Sequence, residues 1–257
     1  KMDLYTLSLK EIDELYNNKE YKKAIAICEG LLERENHTSN FFNSYGALLK
    51  QVNQYEKSLF YLNKAIELNN KNIAAYFNKG LVLSNLKKYD EAIRVLEDLV
   101  NTKEYNPNEC YCYYLLGMNY LEKNLIDKST YYLEKSLSIN NNFNSALINL
   151  ANNYVQLDRL DKSVELLEKA KSIDFKNPLI LYNLGNVYEK LERYDDAINA
   201  LEETINIKHD FYQAHSNLGA IYKKQKKNNE KAIFHFDQAI FYNKNFDDAW
   251  NNKTSYL

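Results

Sequence analysis

The chain has 257 residues, 45% of them hydrophobic, with 33 basic against 35 acidic side chains and a formal net charge of -2. That balance excludes the basic excess of a nucleic-acid binder and the like-charge run of an acidic disordered tail. Only 6 glycines and 2 prolines break the chain, which excludes a turn-rich β fold, and three cysteines (Cys28, Cys110, Cys112) make no disulfide framework and suit a reducing compartment.

The elements recur. A first segment, 5–38, holds Ile12, then Tyr21, Ala24 and Cys28, and Ser8 followed by Glu11 reads as a capping box opening its first helix. Segment 39–72 repeats the order with Gly46, Tyr55, Ser58 and Leu62, and segment 73–109 with Gly80, Tyr89, Ala92 and Leu96. The third segment is longer by three residues around Tyr105, with Pro107 in the expected bulged loop. Segment 110–143 carries Leu116-Gly117-Met118-Asn119-Tyr120, Ile126, Ser129 and Leu133; segment 144–177 carries Leu150-Ala151-Asn152-Asn153-Tyr154, Leu160, Ser163 and Leu167. Segment 178–211 opens on Pro178, whose missing donor costs nothing at a helix start, and continues with Leu184-Gly185-Asn186-Val187-Tyr188, Tyr194, Ala197 and Leu201. Segment 212–246 has Leu218-Gly219-Ala220-Ile221-Tyr222 and, after a one-residue insertion, Ala232 and Phe236. The tail 247–257, with Trp250, is expected to form one capping or truncated helix.

The small residue therefore returns at 117, 151, 185 and 219, always 34 positions apart. Two helices of about a dozen residues and two short turns use roughly that many positions. A small residue on each helix lets the pair pack closely, while the large apolar residue four places after the second one fills the space between. One such pair cannot bury its apolar face alone, so neighbours must stack.

This pattern resembles the tetratricopeptide repeat, aromatic-x2-Leu-Gly-x2-Tyr followed by Ala-x3-Phe, over nearly the whole chain. The closing Pro of that pattern is mostly replaced, by Asn70, Asn141 and His209 among others. The resemblance implies an all-α, right-handed superhelical solenoid of helix-turn-helix repeats, one array over 1–257, with first helices lining a concave groove. It also implies that places two, five, six, nine, twelve and thirteen of each repeat point inward. Place six then holds Asn78, Asn149, Asn183 and Asn217, and place nine holds Asn152 and Asn186. A carboxamide carries both a donor and an acceptor, so such rungs suit the backbone of an extended peptide. The last three place-six residues are similar to the asparagine ladder in the superhelical arm of O-linked N-acetylglucosamine transferases. Place five offers Phe77, Tyr114 and Tyr182, either as apolar anchors for a ligand or as packing against neighbouring repeats. The three-cation carboxylate clamp of co-chaperones in this family is not expected: its nearest window, Ile148, Asn152, Asn183, Gln213 and Asn217, keeps the two Asn and lacks every cation.

No catalytic machinery, metal site or cofactor is expected. His37, His209, His215 and His235 are scattered with no Cys or acid at ligand spacing, and His215 holds the aromatic place of its repeat, where a packed ring is the expectation. Asp195-Asp196 and Asp247-Asp248 fit helix starts, where they favour the macrodipole. The basic run Lys223-Lys224-Gln225-Lys226-Lys227 fits a solvated turn. No apolar run reaches the roughly 18 residues of a membrane span, so neither membrane insertion nor nucleic acid is expected, and a cytoplasmic location is. The opening Lys1-Met2 suits an excised fragment. The expected function is a non-catalytic scaffold or adaptor that binds a protein or peptide partner in its groove, with weak end-to-end self-association near Trp250. Two alternatives are the substrate-recruiting arm of a larger enzyme such as a glycosyltransferase, and a structural subunit of a cell-cycle ligase or ciliary transport assembly.

Overall fold

The computed structural model describes residues 4–33, 37–102, 106–225 and 227–254, with the side chains of 4–7 and 254 left out. The described residues hold fifteen α-helices and no strand. They fall into two compact units, Lys1–Ile139 and Asn140–Leu257. Unit 1 holds α1 (Leu4–Asn17), α2 (Tyr21–Leu31), α3 (Ser39–Gln51), α4 (Tyr55–Leu68), α5 (Ile73–Asn85), α6 (Tyr89–Val100), α7 (Glu109–Glu122) and α8 (Ile126–Ile139). Unit 2 holds α9 (Asn144–Gln156), α10 (Leu160–Ile173), α11 (Pro178–Lys190), α12 (Tyr194–Ile207), α13 (Tyr212–Lys224), α14 (Asn229–Tyr242) and α15 (Asp247–Thr254). The residues of the three-residue expansion, 103–105, lie outside the described ones.

Successive helices pair into hairpins, and within each unit every hairpin packs on the next. First helices also touch first helices: α3 meets α5 and α5 meets α7 in unit 1, and α9, α11, α13 and α15 meet in turn in unit 2. No pair of second helices approaches comparably, so the first helices form the inner side of each stack.

The recurring small residues set how close the two helices of a hairpin come. A Cβ added to Gly46 would stand 2.7 Å from Leu62 Cγ, and one added to Gly185 would stand 2.6 Å from Leu201 Cγ. Gly219 is closed instead by the Phe236 ring, at 2.7 Å. The second small residue and its large partner are fully buried in every hairpin, from Ala24 and Cys28 to Ala232 and Phe236. Of the Ser residues that replace Ala, Ser58 Oγ donates to the Gly46 carbonyl at 2.6 Å, whereas buried Ser163 Oγ has no hydrogen-bond partner among the described residues.

Six first helices end in the same way, and α13 ends in a variant that its one-residue insertion lengthens, with Asn228 N bonded to Tyr222 O. Lys19, Asn53, Lys87, Asn124, Asp158, Glu192 and Lys227 all have φ between 50° and 61°, the left-handed region. The next residue returns its N–H to the helix, as in Gln54 N to Leu49 O at 2.9 Å and Arg193 N to Tyr188 O at 2.9 Å. This is the six-to-one closure that normally calls for glycine. The second helix then begins at once, on the aromatic or aliphatic residue at 21, 55, 89, 126, 160 and 194.

Neighbouring hairpins are tied by a second periodic device. Tyr120 Oη donates to Glu97 at 2.7 Å, Tyr188 Oη to Glu168 at 2.6 Å, and Tyr222 Oη to Glu202 at 3.1 Å. In each case the Tyr lies on a first helix and the Glu on the second helix of the hairpin before it. A cation covers each ring: Lys128 at 5.1 Å, Arg193 at 4.4 Å and Lys231 at 4.8 Å from the centroid.

Pro178 stands at the start of α11, with Asn177 Oδ1 accepting from Leu179 N at 3.1 Å. The Ser8–Glu11 capping box is corrected: α1 begins at Leu4, so Ser8 lies inside the helix and caps nothing at its start. The apolar residues that continue the pattern upstream of Ser8 extend the helix past a local capping signal.

Candidate functional site

The inner side of unit 2 carries Asn149 on α9, Asn183 on α11 and Asn217 on α13, first helices that touch in succession. All three side chains are half-buried, but they are not equivalent. Asn149 Nδ2 donates to Ser145 O on its own helix at 2.8 Å. Asn217 Nδ2 donates to Asn186 Oδ1 of the preceding hairpin at 2.6 Å, so a place-six and a place-nine residue close a cross-hairpin pair. Asn183 Nδ2 is buried and has no hydrogen-bond partner among the described residues. Asn152, one hairpin back at place nine, is half-buried and makes no corresponding bond to it. Beside this stripe Glu189 is half-buried, and burial raises its pKa above the ordinary carboxylate value against the opposing pull of Lys224 and Lys190.

Asn78, on α5 of unit 1, belongs to a different network. Its Oδ1 accepts from Lys50 Nζ at 3.2 Å, and its Nδ2 donates to Asn43 Oδ1 at 3.0 Å. The place-five aromatics are half-buried and touch other rings. Phe77 meets Tyr111 edge-on at 6.4 Å, and Tyr111 meets Tyr114 at 5.8 Å, which joins α5 and α7 through exposed Tyr111. Tyr182 lies against Phe211 at 4.9 Å, in the turn that precedes α13. Inter-hairpin packing therefore occupies one side of each of these rings.

Sequence reasoning missed a buried histidine pair. His215 Nδ1 and His235 Nδ1 are 3.1 Å apart, and His215 Nε2 is 3.1 Å from the His209 carbonyl oxygen. Both rings are buried, 5% and 7% exposed. The two residues sit 20 positions apart across an inserted turn, and only the helix pairing of α13 with α14 joins them. Burial pushes both pKa values down, that of His235 to about 4 with help from His215 and Lys231.

Cys112 is buried with its Sγ 3.4 Å from Asn106 Nδ2, and burial pushes its pKa up to about 11, as for a packed thiol. Among the described residues no three His, Cys, Asp or Glu side chains converge on a metal site, and no helix is long and apolar enough to cross a membrane. Trp250 is 44% exposed and gives its indole N–H to Lys244 O at 2.9 Å, on the otherwise polar helix α15.

Comparison with known proteins divides the chain among several repeat models. A family model described as anaphase-promoting complex, cyclosome, subunit 3 matches residues 17–99, and two tetratricopeptide-repeat models match residues 111–143 and 143–210. The chain is 25% identical over 123 residues to the TPR repeat-containing protein MJ1428 of Methanocaldococcus jannaschii, covering 48% of this chain and 21% of that protein. In the crystal structure of the APC/C hetero-tetramer Cut9–Hcn1, a chain aligns with a TM-score of 0.71 at 19% identity, over 99% of this chain and 49% of that one. YrrB, described as a TPR protein with an unusual peptide-binding site, aligns with a TM-score of 0.60 at 22% identity, over 72% of this chain and 94% of that one. These likenesses to solved structures are of fold alone, and the chain spans about a fifth of its archaeal relative and about half of the Cut9–Hcn1 chain. Tetratricopeptide-repeat models matched over residues 111–210, on hairpins whose helices meet at recurring small residues, identify the chain as a tetratricopeptide-repeat protein.

Proposed function

We propose that this protein is a non-catalytic interaction scaffold whose unit 2 holds an extended peptide along its inner side, with Asn183 and the Asn186–Asn217 pair as polar rungs. The observation that carries this reading is Asn183 Nδ2, a buried donor without an acceptor on the inner stripe. An unpaired buried donor costs about 1–3 kcal/mol. A peptide carbonyl would satisfy it, and the Asn amide oxygen could accept the ligand's own N–H. The rigid stack presents these groups in place, so little ordering is needed on binding. Asn149 would have to release the Ser145 carbonyl to join. It is the weakest rung.

The test is affinity capture from the source cell with the wild-type chain and with an Asn149→Ala, Asn183→Ala, Asn217→Ala variant, each checked for helicity by circular dichroism. Loss of the captured partner by the folded variant is the expected result. Equal capture would refute the ladder.

A second reading has its own support. The anaphase-promoting-complex model over residues 17–99 and the likeness to the Cut9–Hcn1 chain favour a structural subunit that binds through whole faces of its helical stacks. In that case the partner survives the triple substitution and the chain co-sediments in a large assembly.

A further inference from the structure

The inner side of unit 1 holds a cation that has no counter-charge among the described residues. Lys50 lies at place twelve of its repeat, on α3, half-buried. Among the described residues its only hydrogen bond goes to Asn78 Oδ1, at 3.2 Å, and no carboxylate pairs with it. Burial holds its pKa below the ordinary lysine value, with no acidic neighbour to offset the effect.

The direction of the relay decides what it can bind. An ammonium group has donors only, so Asn78 must turn its oxygen toward Lys50. Its amide nitrogen then faces Asn43, which must in turn present its own oxygen, at 3.0 Å. Both side-chain oxygens thus take a bond within the relay. What remains for a ligand is a set of donors: two N–H of Lys50, one of Asn78 and two of Asn43. Tyr16 adds to the set. Its hydroxyl accepts from Gln51 Nε2 at 3.0 Å and keeps its proton to give. Tyr16 and Asn43 line one cavity of about 190 Å³, shared with Asp13, Ser44 and Ala47. Asp13, on α1, repels an anion from its own side and so sorts it toward the α3–α5 side, where Lys50 and Asn78 stand.

We propose that Lys50, Asn78 and Asn43 form a carboxylate-recognition site on the inner side of unit 1, which takes a side-chain or terminal carboxylate of an acidic peptide. The site uses one half-buried cation and two amides, not the three cations of the co-chaperone clamp. It rests on first helices being the binding side, but on none of the unit 2 amides. An arriving carboxylate makes a charge-assisted hydrogen bond to Lys50 and offsets its desolvation, so it raises the Lys50 pKa. Binding therefore weakens as pH rises and Lys50 loses its proton.

The test is NMR of the full chain with labelled lysine side chains and Asn amides, titrated with three peptides. One is acetyl-tetraglutamate amide, one is acetyl-tetraglutamine with a free C-terminal carboxylate, and one is the neutral acetyl-tetraglutamine amide. At least one acidic peptide should raise the Lys50 pKa and shift the Asn43 and Asn78 amides, while the neutral peptide does neither. The arm that responds names the source of the carboxylate. Lys50→Met should weaken that peptide about tenfold or more, and the Asn149→Ala, Asn183→Ala, Asn217→Ala variant should bind it as the wild type does. The proposal is overturned if neither acidic peptide moves these resonances, if the neutral peptide moves them equally, or if a folded Lys50→Met chain binds unchanged. Loss of binding in the unit 2 variant would also overturn it, since the anion would then sit elsewhere.

Discussion

At the junction of α13 and α14 the His209 carbonyl decides the tautomer of both buried histidines. A carbonyl only accepts, so His215 Nε2 carries its proton and His215 Nδ1 is bare. His235 Nδ1 must then donate across the 3.1 Å gap. A second positive charge has no room in this pair, and burial already holds the His235 pKa near 4, against about 6.5 in the unfolded chain. Because the folded value is the lower one, the unfolded chain takes up the proton first. The stability held above about pH 6.5 is lost as pH falls toward 4, by roughly 3 kcal/mol in all, and the loss levels off below that. His235→Phe keeps a ring stacked on Tyr222 and removes the titration. Urea unfolding between pH 4 and 7.5 should show the variant somewhat less stable at neutral pH, by about 1 kcal/mol for the lost hydrogen bond, and clearly flatter toward acid. An identical pH slope in both proteins would show that these rings do not carry the acid sensitivity. The sequence placed His215 among the packed rings, because it stands where the other repeats have an aromatic residue. It did not supply His235, which holds the place of Tyr61 and Tyr132 in other repeats and meets its partner only through the hairpin.

Between first and second helices, seven residues sit in left-handed backbone, yet none of them is glycine. Asn53 and Asn124 tolerate that region, and Lys19, Lys87, Glu192 and Lys227 do so at a cost of about 1–2 kcal/mol each. This explains why the turns were hard to read. Glycine and proline, the usual markers, are absent from them, and the turns are set by the closure of one helix and the prompt start of the next. The aromatic or aliphatic residue that opens the second helix was the legible sign. Glu192 is exposed and makes no side-chain hydrogen bond among the described residues, so its replacement chiefly relieves strain. Glu192→Gly should stabilise the chain by about 1 kcal/mol, read as a higher urea midpoint at unchanged slope. A lower midpoint would mean that the glycine's unfolded-state entropy outweighs the relief. The Tyr–Glu ties between hairpins were legible in principle, since Tyr188 and Tyr222, and Glu168 and Glu202, are each 34 apart; what hid them is that their pairing is visible only once the hairpins stack.

Across a stack, each hairpin is held by its neighbours, so the same fault should have different reach at different places. Within unit 2, the α11–α12 hairpin has a complete hairpin on each side, whereas α13–α14 has α11–α12 before it and the single helix α15 after it. Gly185 and Gly219 do the same work in these two hairpins, each pressed by the large residue opposite at under 3 Å. Valine at either place forces the pair apart, an overpacking fault of about 1–3 kcal/mol locally. Alanine is milder, since Ala151 holds this place in the α9–α10 hairpin with Leu167 fully buried behind it. The smallness of the recurring residue was therefore the signal in the sequence, and its spacing alone carried the hairpin order. The reach of a fault follows from stacking. Gly185→Val should lower protection of backbone amides throughout α9 to α15, because it weakens two interfaces at once. Gly219→Val should loosen α13 to α15 and leave α9 to α12 protected. Hydrogen exchange read helix by helix separates the outcomes. If both variants lose protection uniformly, unit 2 unfolds as one cooperative body, and the nearest-neighbour account of its stability is wrong.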